Sequence, residues 1–173
     1  MPRVKTSYAE KTAKYKVYNY GIALIGLSEE VAPPDVSYKT DSAMVAGGEI
    51  DDVIIGQIDP MEMELPFRQL YGRIYDLIDP TQPVDLTLRA ANQTLDGAGN
   101  TTMVGTKIVV RGQCKGLTPG KYANGTSTGS SIKISVHYLS ISENGSSKLE
   151  VDVLNGILRI NGRDVMAAVN ALC

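Results

Sequence analysis

The C-terminal third of the chain alternates apolar and polar residues between Asn-Gly dipeptides. Every second residue in the segment 132–138 is apolar, which is the period of a half-buried strand. Asn144-Gly145 tolerates the positive φ angles of a tight hairpin turn, and the alternation resumes in residues 149–153. Asn155-Gly156 and Asn161-Gly162 divide the remainder into short pieces. The pattern predicts an antiparallel meander with one apolar face and one charged face.

Strand patterns also occur upstream. The predicted strands are residues 15–27 with a break near Gly21, residues 61–67 with Glu62 and Glu64 on the polar side, residues 84–90, and residues 106–111. Residues 67–78 switch to the helical period, and Asp79-Pro80 ends that helix. Asp164 can cap a short terminal helix, whose apolar stripe is Val165, Ala168, Val169 and Leu172. The order predicts an α+β, mainly β fold: an antiparallel β-sandwich or barrel-like domain with one internal helix and a short C-terminal helix.

The length of the chain and the distribution of its polar and glycine-containing segments indicate one domain with an N-terminal arm and an internal arm. A chain of 173 residues can bury a core without a metal or disulfide. Residues 1–14 are polar and aperiodic, which predicts a mobile N-terminal arm ahead of a single domain at 15–173. Residues 36–58 form an extended arm with short β-like ends, broken by glycine at its tip and acidic beyond it. This arm is either a floppy loop or a hook for a partner.

Composition excludes several classes of protein. The formal charge of −2 gives no global basic field for holding nucleic acid. The N-terminus lacks the apolar core of a signal peptide, and no run of 18 apolar residues predicts a membrane anchor. The two cysteines, Cys114 and Cys173, are far apart and form no disulfide framework; they suit a small core residue and a tail thiol.

The residues of catalysis and metal binding are scarce. The one histidine, His137, lies in the polar register of a strand, without a sequence motif that supplies a nucleophile. One histidine and two distant cysteines do not make an ordinary zinc site, and no glycine-rich cofactor fingerprint is present, so no cofactor is expected. One strand face carries Lys107, Arg111 and Lys115. These cations either form a weak phosphate-binding stripe or pair with acids on a neighbouring strand or subunit, and we favour the pairing with acids.

Three stretches carry a resemblance to a known family. Residues 149–156 (LEVDVLNG), then 159–162 (RING) and Asp164, resemble the end of the major tail tube proteins of P2-type contractile phages and of R-type pyocins. The turn residues in this stretch are Asn155, Gly156, Asn161 and Gly162. Lys39-Thr40 followed by Ala46-Gly47-Gly48 resembles the family's long arm, and residues 109–112 with 116–120 resemble a further stretch.

The resemblance implies a structural protein and not an enzyme. Its relatives form hexameric rings that stack into a hollow tube, which a sheath surrounds and a tape-measure protein fills before DNA passes. Baseplate and tail-terminator proteins are further expected partners. The expected location of the protein is the virion tail, which is assembled in the bacterial cytoplasm. The long arm would contact the next ring, with candidates Lys39, Thr40, Ala46, Gly47, Gly48, Glu49, Asp51 and Asp52. Candidates for facing the lumen are Glu62, Glu64, Glu150 and Asp152. An infectious phage and a DNA-free bacteriocin remain equally open.

Two alternatives fit the residues less well. A secreted β-sandwich binding module would explain the strands but needs an export signal. A small hydrolase would need a nucleophile–base pair, which a single histidine makes difficult to build.

Overall fold

The computed structural model describes residues 7–24 and 30–172, with side chains described from residue 11 onward. The first six residues of the expected N-terminal arm, residues 25–27 of the expected first strand, and Cys173 lie outside this range. The elements are β1 Ser7–Asn19, β2 Ile22–Ala23, β3 Tyr38–Val45, β4 Gly48–Ile58, β5 Met61–Phe67, a 3-10 helix Gly72–Leu77, β6 Val84–Asp96, β7 Thr101–Thr118, β8 Ser130–Glu143, β9 Ser146–Asp152, β10 Ile157–Ile160, β11 Arg163–Asp164 and the helix α1 Ala167–Asn170.

Nine strands form one antiparallel sheet, which confirms the predicted fold class. The order is β11-β10-β9-β8-β7-β6-β1-β2, and β5 pairs with the first half of β8. Consecutive strands from β6 to β11 are neighbours because tight turns connect most of them. Asn144 and Gly145 have φ angles of 47° and 80°, and Asn161 and Gly162 have 50° and 77°, so both dipeptides make the expected hairpin turns.

One face of this sheet carries the core. Register aligns apolar residues across strands; for example, Met63 of β5 lies opposite Ile134 of β8, and Leu86 of β6 opposite Val110 of β7. Ile74 and Leu77 of the 3-10 helix belong to the same core cluster. The buried apolar residues are Val17, Met61, Met63, Leu65, Phe67, Ile74, Leu77, Val84, Leu86, Leu88, Ile108, Val110, Ile132, Ile134, Val136, Leu139, Val151 and Leu158. The opposite face is polar and charged.

A β-bulge at His137 changes which residues of β8 face the core. Arg111 pairs with Tyr138 and Gly112 with Val136, so His137 has no opposite residue on β7. Because of this extra residue, Leu139 is buried, whereas Tyr138 lies on the polar face with the Arg111 guanidinium 4.9 Å from its ring centre. The alternation over residues 132–138 predicts Tyr138 on the apolar face, and this prediction is wrong because simple alternation assumes an unbroken pleat.

The two helices differ from their predictions. β5 continues through Phe67, and the internal helix is a single 3-10 segment starting at Gly72. The terminal helix has one turn and starts at Ala167, so Asp164 is not its N-cap residue, although Asp164 Oδ1 accepts a hydrogen bond from the Met166 N–H at 2.8 Å. Of the expected stripe, Leu172 is 90% exposed. A segment this short gains little from helix propagation, so packing decides its conformation.

The boundary expected between an arm and the domain at residue 14 falls inside β1. The segment 7–14 pairs with the second half of β6, from Ser7 opposite Asp96 to Lys14 opposite Ala91. The register shifts between Thr12 and Lys14, so Ala13 has no opposite residue and the side-chain alternation is interrupted there. Backbone hydrogen bonds nevertheless hold this segment as a strand.

Candidate functional site

The arm at residues 36–58 is a regular hairpin standing apart from the main sheet. β3 and β4 pair with each other from Tyr38–Ile58 at the base to Val45–Gly48 at the tip, and with no other described strand. None of its side chains is buried. The sequence predicted only short β-like ends. The observed pairing reaches the tip at Val45 and Gly48, and it favours a formed hook over a floppy loop.

The hairpin concentrates negative charge. Its acids are Asp41, Glu49, Asp51 and Asp52; with the single cation Lys39 they give a formal charge of −3. Asp41 and Asp52 lie directly opposite each other, where like charges repel. None of these acids forms an ion pair with another described residue. We call this element the acidic hairpin (Tyr38 to Ile58). Thr40 lies opposite Val53 next to a bulge, and Ala46 and Gly47 form the tip ahead of Gly48.

The acidic hairpin also exposes apolar side chains. Met44 is 81% and Ile55 63% exposed, and Ile50 and Val53 are about half exposed. At the base, Gly56 has a φ of 80° and lies so close to the Met166 side chain that a Cβ there would collide with its sulfur. An element without buried side chains that exposes several apolar residues is typical of a surface that a partner covers.

The four acids proposed for a lumen share the polar face of the main sheet. Glu62 and Glu64 lie opposite Ser135 and Lys133 of β8. Glu150 and Asp152 are the corresponding outward residues of β9 and lie opposite Ser140 and Tyr138. The shared face follows from register, because Lys133, Ser135, Tyr138 and Ser140 point outward on either side of the bulge.

Three of these four acids already have partners within the subunit. Glu62 pairs with Lys115, whose hydrogen bond and then whose charge lower the pKa of the Glu62 carboxyl. Glu150 accepts a hydrogen bond from Arg159 Nη1 at 3.0 Å, and Asp152 accepts one from Asn155 Nδ2 at 2.6 Å. Glu64 forms no hydrogen bond or ion pair with any described residue, although Lys133 lies opposite it on β8.

The favoured pairing of the β7 cations with acids is confirmed for two of three. Arg111 Nε lies 2.8 Å from Asp85 Oδ2 on the neighbouring strand β6, and Lys115 pairs with Glu62 on β5. Lys107 has no acid partner among the described side chains; it lies opposite Arg89 on one side and Ser142 on the other.

Lys107 belongs to a row of cations that the sequence analysis missed. Lys16 of β1 lies opposite Arg89 of β6, and Arg89 lies opposite Lys107 of β7. All three are exposed. These residues are far apart in the chain, and only strand register brings them together. We call Lys16, Arg89 and Lys107 the cationic row.

The turn residues named for the family motif shape the last strands. Asp152 Oδ1 accepts a hydrogen bond from the Asn155 N–H at 3.1 Å, and Gly156 has a φ of 63°, so this turn precedes β10. Asn161-Gly162 links β10 to β11, where Asp164 lies opposite Arg159.

The described residues contain no group of three or more His, Cys, Asp or Glu side chains that could hold a metal. His137 is half-buried in its bulge, and Cys114 is half-buried in the sheet. A surface groove of about 550 Å³ is lined mainly by Ser, Gly and Pro residues with Glu64 and Arg68. Across the same residues, no helix combines the length and apolarity that crossing a bilayer requires.

Comparison with known proteins identifies the family. The chain is similar to a solved structure titled as the sheath/tube terminator of an extracellular contractile injection system (PVC) in the extended state, with 13% identity and a TM-score of 0.56 over 78% of this chain and 97% of that one. At this identity the likeness shows the fold. Curated protein sequences give no significant match.

The family model of phage tail tube protein FII matches residues 9–172. That family is structural and not enzymatic. The chain therefore belongs to the phage tail tube protein FII family.

Proposed function

We propose that the chain is the subunit of a contractile tail tube, in which hexameric rings stack into a hollow conduit for DNA delivery or membrane puncture. The observation that carries this proposal, beyond the family, is a sheet with two long unpaired edges. Over residues 7–17, β1 pairs only with β6 among the described strands, and β5 pairs only with β8. Unpaired edges of this length recruit further strands.

The two edges suit ring closure. In the section β5-β8-β7-β6-β1 they lie at opposite sides of the sheet. Addition of β1 of one copy beside β5 of the next would continue the sheet around a ring and pair both of these edges, which is the advantage of a closed barrel. Six copies closing in this way would make the tube wall, with the sheath outside and the tape-measure protein, then DNA, inside.

The acidic hairpin suits the contact between rings. None of its side chains is buried, and its exposed apolar side chains gain by burial against another copy. The proposed contact residues are Lys39, Thr40, Ala46, Gly47, Gly48, Glu49, Asp51 and Asp52. Baseplate and tail-terminator proteins would cap such a stack at its two ends, and assembly would take place in the bacterial cytoplasm.

Some of Glu62, Glu64, Glu150 and Asp152 would face the lumen. A wall without uncompensated positive charge does not hold phosphates, so DNA passes without sticking. Two of these candidates, Glu62 and Glu150, are neutralised in part by Lys115 and Arg159.

The test is the assembly state of the full purified chain. We expect size-exclusion chromatography to give rings or larger species, and electron microscopy to show uniform hollow tubes whose cross-section has six copies. A chain that stays monomeric at all concentrations and salt strengths, alone and with its sheath protein, would contradict the proposal and favour a binding module.

A further inference from the structure

The two free edges of the main sheet belong to strands that run in the same direction. Every step from β1 through β6, β7 and β8 to β5 is antiparallel, and four such steps leave β1 and β5 parallel to each other. Rotation about the axis of a ring keeps the direction of each strand along that axis. In the proposed ring, β1 of one copy therefore meets β5 of the next as a parallel neighbour, with hydrogen bonds between the two backbones.

The two edges lie at different levels of the same subunit. Strand pairing places Leu65 of β5 opposite Ile132 of β8, whereas Val17 of β1 is level, by way of β6 and β7, with Ile141 of β8. The offset is nine residues of β8, which is the separation of positions 132 and 141. A closed barrel requires an offset of this kind, because its strands tilt relative to the barrel axis.

Two features of β1 restrict how it can lie beside β5. β2 pairs with the last two residues of β1, and the Leu24 N–H donates to the Val17 carbonyl at 2.8 Å, so the free edge ends at Val17. In addition, Val17 is buried in the core and Lys16 points to the polar face. The faces of the two strands match only where Val17 has a core-facing neighbour, because a shift by one residue exchanges the faces.

Charge selects one of the registers that remain. We propose that β1 of one copy binds β5 of the next with Val17 beside Leu65. This inference rests on the ring proposed above and adds the register of its seam. Moved by two residues in either direction, the contact would leave one of the two outward lysines of β1 without an acid. The seam neighbours are Lys16 with Glu64 and Lys14 with Glu62.

The seam relieves a repulsion within the subunit. Lys16 lies opposite Arg89, and like charges directly opposite each other destabilise a sheet. Glu64 has Lys133 opposite it on one side and the free edge of β5 on the other. In the seam, Glu64 lies between Lys133 and Lys16 of the next copy, so acid and cation alternate. The polar face of the seam is the lumen face, and there the acids compensate lysines that would otherwise hold phosphates.

Zero-length cross-linking of the assembled wild-type chain tests the seam. A carbodiimide joins a lysine amine to a carboxylate where the two groups touch. In tubes assembled from nitrogen-15-labelled and unlabelled chains, we expect mass spectrometry to find a Lys16–Glu64 link of mixed isotopes, which identifies a link between copies. The Lys115–Glu62 link within one chain is the internal control, because the subunit forms this pair by itself. The unassembled chain should give the control link without the seam link.

Charge exchange at the same pair is a second test. K16E and E64K each place like charges beside each other, and we expect the critical concentration for tube formation, measured by sedimentation in low salt, to rise about two- to fivefold, as for an exposed ion pair. The tubes keep their form, because backbone hydrogen bonds hold the strands. K16E/E64K restores opposite charges and recovers most of the loss. The control K121E reverses an exposed loop cation and leaves assembly unchanged.

The melting temperature of unassembled K16E separates weaker assembly from misfolding. The new carboxylate lies opposite Arg89, so this temperature stays equal or rises while assembly weakens. A fall in both would attribute the effect to misfolding and overturn the role of Lys16 in the seam.

The outcomes distinguish this inference from the proposed function. Wild-type tubes without the Lys16–Glu64 link overturn the register and leave the ring in place. A stronger link from Lys14 to Glu64, or a double variant K16E/E64K that recovers nothing, does the same. Absence of wild-type tubes overturns both the register and the ring.

Discussion

Gly112 is the residue at which the bulged sheet tolerates no side chain. A Cβ there would collide with the backbone oxygen of Ser135 and lie 2.9 Å from Ile134 Cγ2, inside the β7–β8 pair. We expect Gly112→Ala to lower the free energy of unfolding by roughly 1–3 kcal/mol, because rigid backbone must move. Urea denaturation measures this. The control Gly116→Ala, in the same strand with open space around it, changes stability little. Equal effects of the two would mean that close approach is not the reason.

Glu62 gives the subunit a charge interaction that depends on pH. The hydrogen bond and charge of Lys115 lower its pKa below the ordinary value of 4.5. A carboxyl whose pKa is lower in the folded state than in the unfolded state stabilises the fold at pH values above its unfolded-state pKa. This stabilisation is lost as the pH falls through the folded-state pKa. Carbon-13 NMR titration of the Glu62 carboxyl should show the pKa rising toward 4.5 in Lys115→Met and unchanged in Lys121→Met. A pKa unmoved by Lys115→Met would contradict the pairing.

The acidic hairpin is the element that can be removed without harm to the domain. Thr40 and Val53 lie directly opposite each other, so Asn-Gly in place of residues 41–52 closes the hairpin with a two-residue turn. None of the removed side chains is buried. We expect the melting temperature of the unassembled chain to change by less than about 4 °C, which corresponds to about 1 kcal/mol at this size. Electron microscopy should show that stacked tubes are lost.

A large fall in melting temperature on this shortening would show instead that the hairpin supports its own subunit. If the shortened chain forms full-length tubes, the hairpin is not part of the contact between rings.

At the scale of the whole assembly, the lumen charge should govern the passage of DNA. Glu64→Lys replaces a carboxylate by a second cation opposite Lys133, and we expect slower genome ejection from virions whose tubes look normal by electron microscopy. Glu64→Gln removes the same carboxylate without adding a cation and serves as the control. Unchanged ejection kinetics in Glu64→Lys would place this residue away from the DNA path.

The sequence alone determined the parts of this protein that depend on local chemistry. Asn144-Gly145 and Asn161-Gly162 specify tight turns, and the alternation from Met61 and from Val84 specifies a buried face, because turn conformation and side-chain period are properties of neighbouring residues. The family resemblance rests on the same C-terminal run together with the long arm and residues 109–120.

Only the tertiary structure decided what depends on register between distant strands. The bulge at His137 moves Tyr138 from the apolar to the polar face, and the pairing of β1, β6 and β7 assembles the cationic row from Lys16, Arg89 and Lys107. Residue spacing along a strand contains no information on which strand lies beside it. An inserted residue changes the face of every residue after it, so these features follow from backbone pairing and not from composition.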